Sequence, residues 1–150
     1  MARTHVVVLL GLALLTGAGC GTTKKQGAVG DTLDSRTLHV TLHRFTERAK
    51  AGRAAANVEI CRDEEGQAIN AYAFVLGFEG GDKTSPTRPM TLYDDEFGVS
   101  RAGCERGWIE FPLSPGATPE TLRFTYDDTG SARPGEQREE HVEFSWDVAA

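Results

Sequence analysis

The alternation of apolar and polar residues with a period of two is the feature that most constrains how this chain folds. Leu38, Val40 and Leu42 alternate with polar residues, and the same pattern recurs in later segments. A period of two places successive side chains on opposite faces of a strand, so these segments predict half-buried β-strands. About six or seven such strands, separated by turn residues, predict an all-β fold, an antiparallel β-sandwich.

The inward rows of these strands define an expected hydrophobic core. One long strand is expected over 69–78, whereas 46–56 is expected to be a loop with one helical turn, because Gly52 interrupts it. A short edge strand is expected at 90–93 and a mobile polar loop at 131–139. Pro112 is expected to end its strand or to lie at an edge, since proline cannot donate to a ladder. The expected core comprises Val40, Leu42, Tyr72, Phe74, Leu76, Ile109, Phe111, Leu122, Phe124, Phe144 and Trp146.

The N-terminus has the pattern of an export signal. Arg3 precedes an uncharged apolar run at 6–15, too short to span a bilayer, and Ala18-Gly19-Cys20 follows. The arrangement resembles a bacterial lipobox, in which the cysteine thiol takes a diacylglycerol and the signal is cut just before it. An ordinary secretory signal with an accidental cysteine and an uncleaved anchor are the alternatives. The predicted organisation is a lipoprotein signal peptide at 1–19, a lipidated Cys20 with a flexible tether at 20–30, and a sandwich domain at 31–150.

Length and charge limit the partners of the exported chain. Cleavage before Cys20 would remove a single charged residue, Arg3, and leave 131 residues with a net charge of −7. That length suits one domain with a hydrophobic core. The acidic balance argues against nucleic-acid binding, which needs a concentrated basic surface. The expected location is the extracytoplasmic face of the cell membrane, held there by the lipid on Cys20.

Two cysteines remain once Cys20 is assigned to the lipid. Cys61 and Cys104 form an even pair in an oxidising compartment, which predicts a disulfide across the sandwich or near its edge. The chain-entropy model gives a loop of this length about 4 kcal/mol of stabilisation. Two free buried thiols are the alternative. The spacing of these cysteines and His141 matches no zinc-ligand pattern.

Three segments carry a resemblance to a known family. They are 30–41, with Gly-Asp-Thr-Leu and Leu-His-Val-Thr, then 106–117, with Arg-Gly-Trp-Ile-Glu-Phe-Pro-Leu-Ser-Pro-Gly-Ala, and 122–126. Together they resemble uncharacterised immunoglobulin-like domains of cell-surface lipoproteins in actinobacteria and other Gram-positive bacteria. The resemblance covers about 30–148 and departs at 61–66. It implies an immunoglobulin-like sandwich at the cell surface, and it brings no catalytic residues and no ligand.

Trp108 is the candidate residue for a partner surface. Its parity places it opposite Ile109 and Phe111, and exposed tryptophan is enriched in binding sites. His39 and His43 share a strand face about 13 Å apart, too far to hold one ion without a bend, so they are expected to face solvent. The predicted function is therefore a non-catalytic module that binds a protein or envelope partner.

Acidic loops support an alternative function. Clusters at 63–65, 94–96 and 127–128 could supply oxygen ligands to calcium, or the loop end could bind a small ligand. Neither a Gly-x-Ser-x-Gly elbow nor a glycine-rich phosphate loop before a helix occurs. The sequence therefore predicts no enzyme activity, no cofactor, and no specific catalytic or metal-binding residue.

Overall fold

A computed structural model describes residues 21–66, 68–90, 98–99, 101–128 and 140–149. Two short 3-10 helices, at Ala49–Ala51 and Ala71–Ala73, interrupt a succession of strands. The strands are β1 (Gly21–Ala28), β2 (Thr32–Asp34), β3 (Leu38–Arg48), β4 (Arg53–Arg62), β5 (Ile69–Asn70), β6 (Phe74–Phe78), β7 (Lys83–Thr84), β8 (Thr87–Met90), β9 (Gly98–Val99), β10 (Gly103–Pro112), β11 (Pro119–Asp128) and β12 (Glu140–Asp147).

The strands form two five-stranded sheets. Sheet I has the order β1-β12-β11-β6-β7 and sheet II the order β2-β3-β4-β10-β8, while β5 and β9 form a separate pair. Every pair is antiparallel except β1 with β12, which is parallel. The predicted all-β sandwich is confirmed. No helix in the described ranges is long and apolar enough to cross a membrane.

The core lies between the two sheets and follows the predicted rows. Ten of the eleven expected members are completely buried, and Tyr72 is the exception. Aromatic side chains on neighbouring strands of sheet I pack together: the ring centroids of Phe74 and Phe124 are 5.0 Å apart, and those of Phe124 and Phe144 are 6.0 Å apart. Each large apolar side chain buried in this way contributes about 1.5–3 kcal/mol, so these rows decide which face of each strand points inward.

The expected single strand over 69–78 is wrong at 71–73, which separate β5 from β6. The Asn70 side chain accepts a hydrogen bond from the Tyr72 backbone N–H at 3.0 Å, and residues 71–73 turn as a 3-10 helix. The turn breaks the alternation of faces, because Ala71 becomes buried while Tyr72 is 61% exposed. A local side-chain–backbone hydrogen bond therefore overrides the periodicity here.

The loop expected over 46–56 is also wrong, except for its helical turn. β3 continues to Arg48, and β4 begins at Arg53. An irregularity between Leu42 and Arg44 resets the faces of β3, so that Phe45 packs against the core. Gly52 closes the tight connection with a φ of 63°, a conformation that glycine adopts without steric cost.

The tether expected at 20–30 is a strand from Gly21 onward. β1 pairs with β12 over eight residues, and Lys24 forms a 2.8 Å ion pair with Glu143. Thr23 donates to Glu140 at 2.6 Å. A polar edge strand has no apolar row, because most of its side chains face water, so its sequence is indistinguishable from a linker. The sandwich thus begins at Gly21 rather than at residue 31; Cys20 lies outside the described residues.

The register gives the sandwich two distinct ends. At the proximal end, β1 starts at Gly21 opposite Glu140, and Arg62 lies over the Tyr126 ring. At the distal end are the turn at 49–52, the loop at 113–118 and the turn at 79–82, joined by hydrogen bonds from Leu113 N to Gly52 O and from Glu79 N to Thr118 O. β10 ends at Pro112 as predicted, while the expected features at 91–93 and 131–139 lie outside the described residues.

Candidate binding face

Trp108 lies on the outer face of sheet II. Its neighbours Ile109 and Phe111 are fully buried, so alternation along β10 directs Trp108 away from the core, where it is half-buried. The indole N–H of Trp146 donates to Asp31 O at 3.1 Å, whereas that of Trp108 makes no hydrogen bond to a described residue. Trp108 therefore offers an aromatic surface together with an available donor.

Asn57 and Arg106 form a hydrogen-bonded pair beside Trp108 that was not predicted from the sequence. Asn57 stands opposite Trp108 on β4 and is only 6% exposed, although its strand position faces outward. Its side chain accepts from Arg106 Nε at 2.6 Å and donates to Gly107 O at 3.3 Å. These bonds hold the exposed Arg106 side chain next to Trp108. Asn57 follows a run of alanines, and that local context carries no signal of its role.

The two histidines of β3 each engage different carboxylates. His43 Nε2 lies 2.8 Å from Glu59, and His39 Nδ1 lies 2.8 Å from Asp34. His39 also lies 3.5 Å from Asp63. The hydrogen bond to Asp34 raises the pKa of His39 above its ordinary value, against the opposing effect of its partial burial. The two histidines therefore bind separate carboxylates and meet at no common centre.

The predicted Cys61–Cys104 disulfide is present, and it lies within sheet II rather than across the sandwich. The two cysteines are directly opposite each other on the neighbouring strands β4 and β10, with Cα atoms 3.9 Å apart. The bond lies on the outer face of sheet II and does not cross the sandwich, because Cys61 alternates with the buried Ile60 and Arg62. Glu59 and the two sulfur atoms lie within 4.8 Å of one another, but the sulfurs are bonded together and so are not thiolate ligands.

In the described ranges, the acidic loops do not bring their carboxylates close enough together to hold a cation. Asp63, Glu64 and Glu65 are exposed, and Asp127 pairs with His141 at 2.5 Å. No three carboxylates among the described residues bring ligand oxygens within 4.8 Å of one another. The cluster at 94–96 lies outside the described residues. A calcium site at these loops stays a prediction.

An open cleft of about 710 Å³ occupies the distal end. It lies between the β6–β7 turn and the loop that follows Pro112. Phe78 and Leu113 contribute apolar surface, and Glu79, Asp82 and Lys83 contribute charges. Its size falls in the range of small-molecule sites.

Similarity to solved structures is confined to the fold. MPT63, a secreted protein from Mycobacterium tuberculosis, superposes with a TM-score of 0.54 at 11% identity, covering 83% of this chain and 98% of that one. A predicted lipoprotein of Bacillus subtilis, ycdA, superposes with a TM-score of 0.50 at 14% identity, covering 77% of this chain. This chain spans 38% of ycdA. No family model matches the sequence, and no curated protein matches it.

These likenesses place the chain in a broad structural class. It has a β-sandwich fold that also occurs in a secreted mycobacterial protein and in a predicted lipoprotein. They agree with the β-sandwich fold that the sequence resemblance implied. Membership of the immunoglobulin-like lipoprotein family stays a prediction.

Proposed function

We propose that this protein is a lipid-anchored, extracytoplasmic module that binds an envelope partner through the outer face of sheet II. The single observation that carries the proposal is Trp108, an outward-facing tryptophan whose indole N–H has no partner in the described part of the chain. Tryptophan at a surface position often contributes a large share of binding energy. The exposed Arg106 side chain beside it, held in place by the buried Asn57, provides a fixed polar group for recognition.

The geometry of the N-terminus supports the anchor. Cys20 immediately precedes Gly21, the first residue of β1 and part of the proximal end. A lipid on Cys20 would hold the proximal end at the membrane and leave the distal end directed outward. An eight-residue strand spans about 26 Å, so the distal end would stand roughly that far from the acylated residue.

A non-catalytic role fits the state of the reactive side chains. The three histidines of the described ranges, His39, His43 and His141, hydrogen-bond to carboxylates. Neither a hydroxyl nor a thiol bonds to any of them there, so they form no nucleophile–base pair. Cys61 and Cys104 are bonded to each other, which leaves no thiolate in the sandwich.

Affinity capture from the protein's own envelope tests the proposal. The full chain and its Trp108→Ala variant are used as bait, and retained material is identified by mass spectrometry and sugar analysis. Tyr72→Ala is the matched control, since Tyr72 is an exposed aromatic residue outside this face. The expected result is a component retained by the parent and by Tyr72→Ala and lost with Trp108→Ala. Equal retention by all three baits contradicts the role of Trp108.

A small-ligand carrier is the second candidate, favoured by the distal cleft. Its mostly polar lining, with the exposed charges of Glu79, Asp82 and Lys83, suits a compact polar ligand. Lys83→Gln should weaken capture of a ligand with an anionic group, which mass spectrometry of the natively purified protein would detect. Release of no small molecule from the parent on denaturation contradicts this candidate.

A further inference from the structure

The β3–β4 hairpin is basic in an otherwise acidic protein. Residues 44–53 contain Arg44, Arg48, Lys50 and Arg53 against a single carboxylate, Glu47, whereas the whole chain has a net charge of −6. All four basic side chains are exposed. We define the distal basic face as these four residues together with Trp108.

The register places Arg44, Arg48 and Arg53 on the same side of sheet II as Trp108. Arg44 stands opposite Asn57, which in turn stands opposite Trp108. Arg48 and Arg53 are directly opposite each other at the end of the hairpin. Like charges in that position destabilise a sheet, so the fold bears a cost to keep both.

Little in the described structure neutralises this charge. Arg53 forms a 3.1 Å ion pair with Glu110, and Arg106 donates to the neutral Asn57. Arg44, Arg48 and Lys50 form no hydrogen bond or ion pair with a described residue. The hydrogen bond from Leu113 N to Gly52 O ties the hairpin to the neighbouring loop, so the charges are presented on an ordered support.

The chemistry of the face favours an anionic glycan over a protein. Among the described residues, the large hydrophobic side chains that are exposed are Val29 and Tyr72, and neither belongs to this face. A stable protein interface normally buries an apolar centre, which is missing here. Arginine binds phosphate and carboxylate groups through paired N–H donors, and the Trp108 ring offers a flat surface on which a sugar ring can stack.

Position separates this partner from the membrane itself. If Cys20 is acylated, the turn of the hairpin, with Arg48 and Arg53, lies at the end of the sandwich remote from the bilayer, roughly 26 Å along β1. Arg44 and Trp108 lie level with Asn57, about halfway along the strands and roughly 16 Å from the level of Arg62 at the proximal end. Lipid headgroup charges are screened within about 8–10 Å at physiological salt. We infer that the distal basic face binds an anionic glycopolymer of the cell envelope, a chain of sugar-bearing units with repeated phosphate or carboxylate groups. The inference rests on the proposed function and names its partner.

Binding of the full-length protein in detergent to glycosylated poly(glycerol phosphate) tests the inference. The expected affinity falls as salt is raised from about 50 to about 200 mM, because released counterions drive the association. Neutral dextran should not bind. Arg44→Gln with Arg48→Gln should weaken binding at least about tenfold. The matched control, Arg36→Gln with Arg123→Gln, removes the same charge from exposed sites elsewhere and should change affinity by less than about twofold.

A polyanion without sugars distinguishes the contribution of the basic side chains from that of Trp108. Trp108→Ala should weaken binding of the glycosylated polymer about tenfold while leaving binding of inorganic polyphosphate unchanged. Trp108→Phe is a second variant, used if Trp108→Ala fails to fold. Because it keeps an aromatic ring, it should bind the glycopolymer more tightly than Trp108→Ala. Equal losses for both polyanions overturn the assignment of Trp108 to sugar contact.

Vesicles decide between polymer and membrane. Vesicles with about 30% phosphatidylglycerol are compared with pure phosphatidylcholine, which subtracts insertion through the lipid anchor. Charge-dependent vesicle binding that the Arg44/Arg48 variant abolishes would overturn the inference in favour of a membrane-facing surface, as would equal losses in the control variant. If the glycopolymer fails to bind while envelope capture still depends on Trp108, the inference fails and the proposed function stands.

Discussion

Phe111 and Glu110 are adjacent residues with opposite environments. Phe111 is fully buried, while Glu110 lies on the outer face and pairs with Arg53 at 3.1 Å. Phe111→Ala should lower the free energy of unfolding by about 3–5 kcal/mol, because it leaves a cavity in the core. Glu110→Ala should cost about 1 kcal/mol or less. Urea unfolding of both variants is the measurement, and equal small losses would show that the strand faces are assigned wrongly.

His39 makes stability depend on pH. Its raised folded-state pKa, caused first by the hydrogen bond to Asp34 and further by the charge of Asp63, means that the folded protein binds a proton more tightly than the unfolded chain. The resulting stabilisation is fully present below the ordinary histidine pKa of about 6.5 and is lost as pH rises through the folded pKa. The His39 side chain is 39% exposed, so the effect should stay below about 1 kcal/mol.

Comparison with His39→Gln isolates this contribution. The free energy of unfolding of the parent relative to the variant should be larger at pH 5 than at pH 8, as measured by urea titration at both pH values. A parent advantage that is larger at pH 8 would contradict the direction of the shift.

At the scale of elements, the disulfide ties β4 to β10 on the outer face of sheet II. The sequence separation of 43 residues implies that its loss costs about 4 kcal/mol, chiefly by freeing the unfolded chain. Cys61→Ser with Cys104→Ser should lower the urea midpoint accordingly and leave the core intact, since both side chains face away from it. A double variant as stable as the oxidised parent would contradict this expectation.

β1 pairs with β12 along its whole length although its sequence resembles that of a flexible linker. Its backbone amides should exchange with solvent more slowly than those of an unpaired segment. Gly27→Val should reduce that protection, since even a Cβ at Gly27 would lie 3.0 Å from Asp31 Cβ and 3.1 Å from Leu33 Cδ2. Lys25→Val puts the same side chain at an exposed position of β1 and is the control. Rapid exchange of the β1 amides in the parent would contradict the strand and favour a flexible tether at 20–30 instead.

At the scale of the whole molecule, the proposed lipidation of Cys20 would determine where the protein works. The parent grown with a labelled fatty acid should incorporate the label, and Cys20→Ala should not, even where an uncut signal keeps the variant at the membrane. Fractionation alone cannot separate these two states, so the label is the measurement. A parent chain that never takes the label would exclude the lipid anchor.

The sequence by itself determined the fold class and most of the core. Period-two rows such as Leu122 with Phe124 and Phe144 with Trp146 are local signals, since burying one member of a strand face requires its partners two residues away to be buried as well. The same parity assigned Trp108 to the outer face. The cysteine pairing followed from an even count in a compartment predicted to be oxidising.

Only the tertiary structure decided how segments without an apolar row are used. β1 is a strand because β12 offers an edge with which it pairs, and Tyr72 is exposed because Asn70 bonds to its backbone. Arg44, Arg48 and Arg53 share one face with Trp108 only through the pairing of β3, β4 and β10. Such features depend on contacts between residues far apart in the chain, and a local pattern carries no record of those contacts.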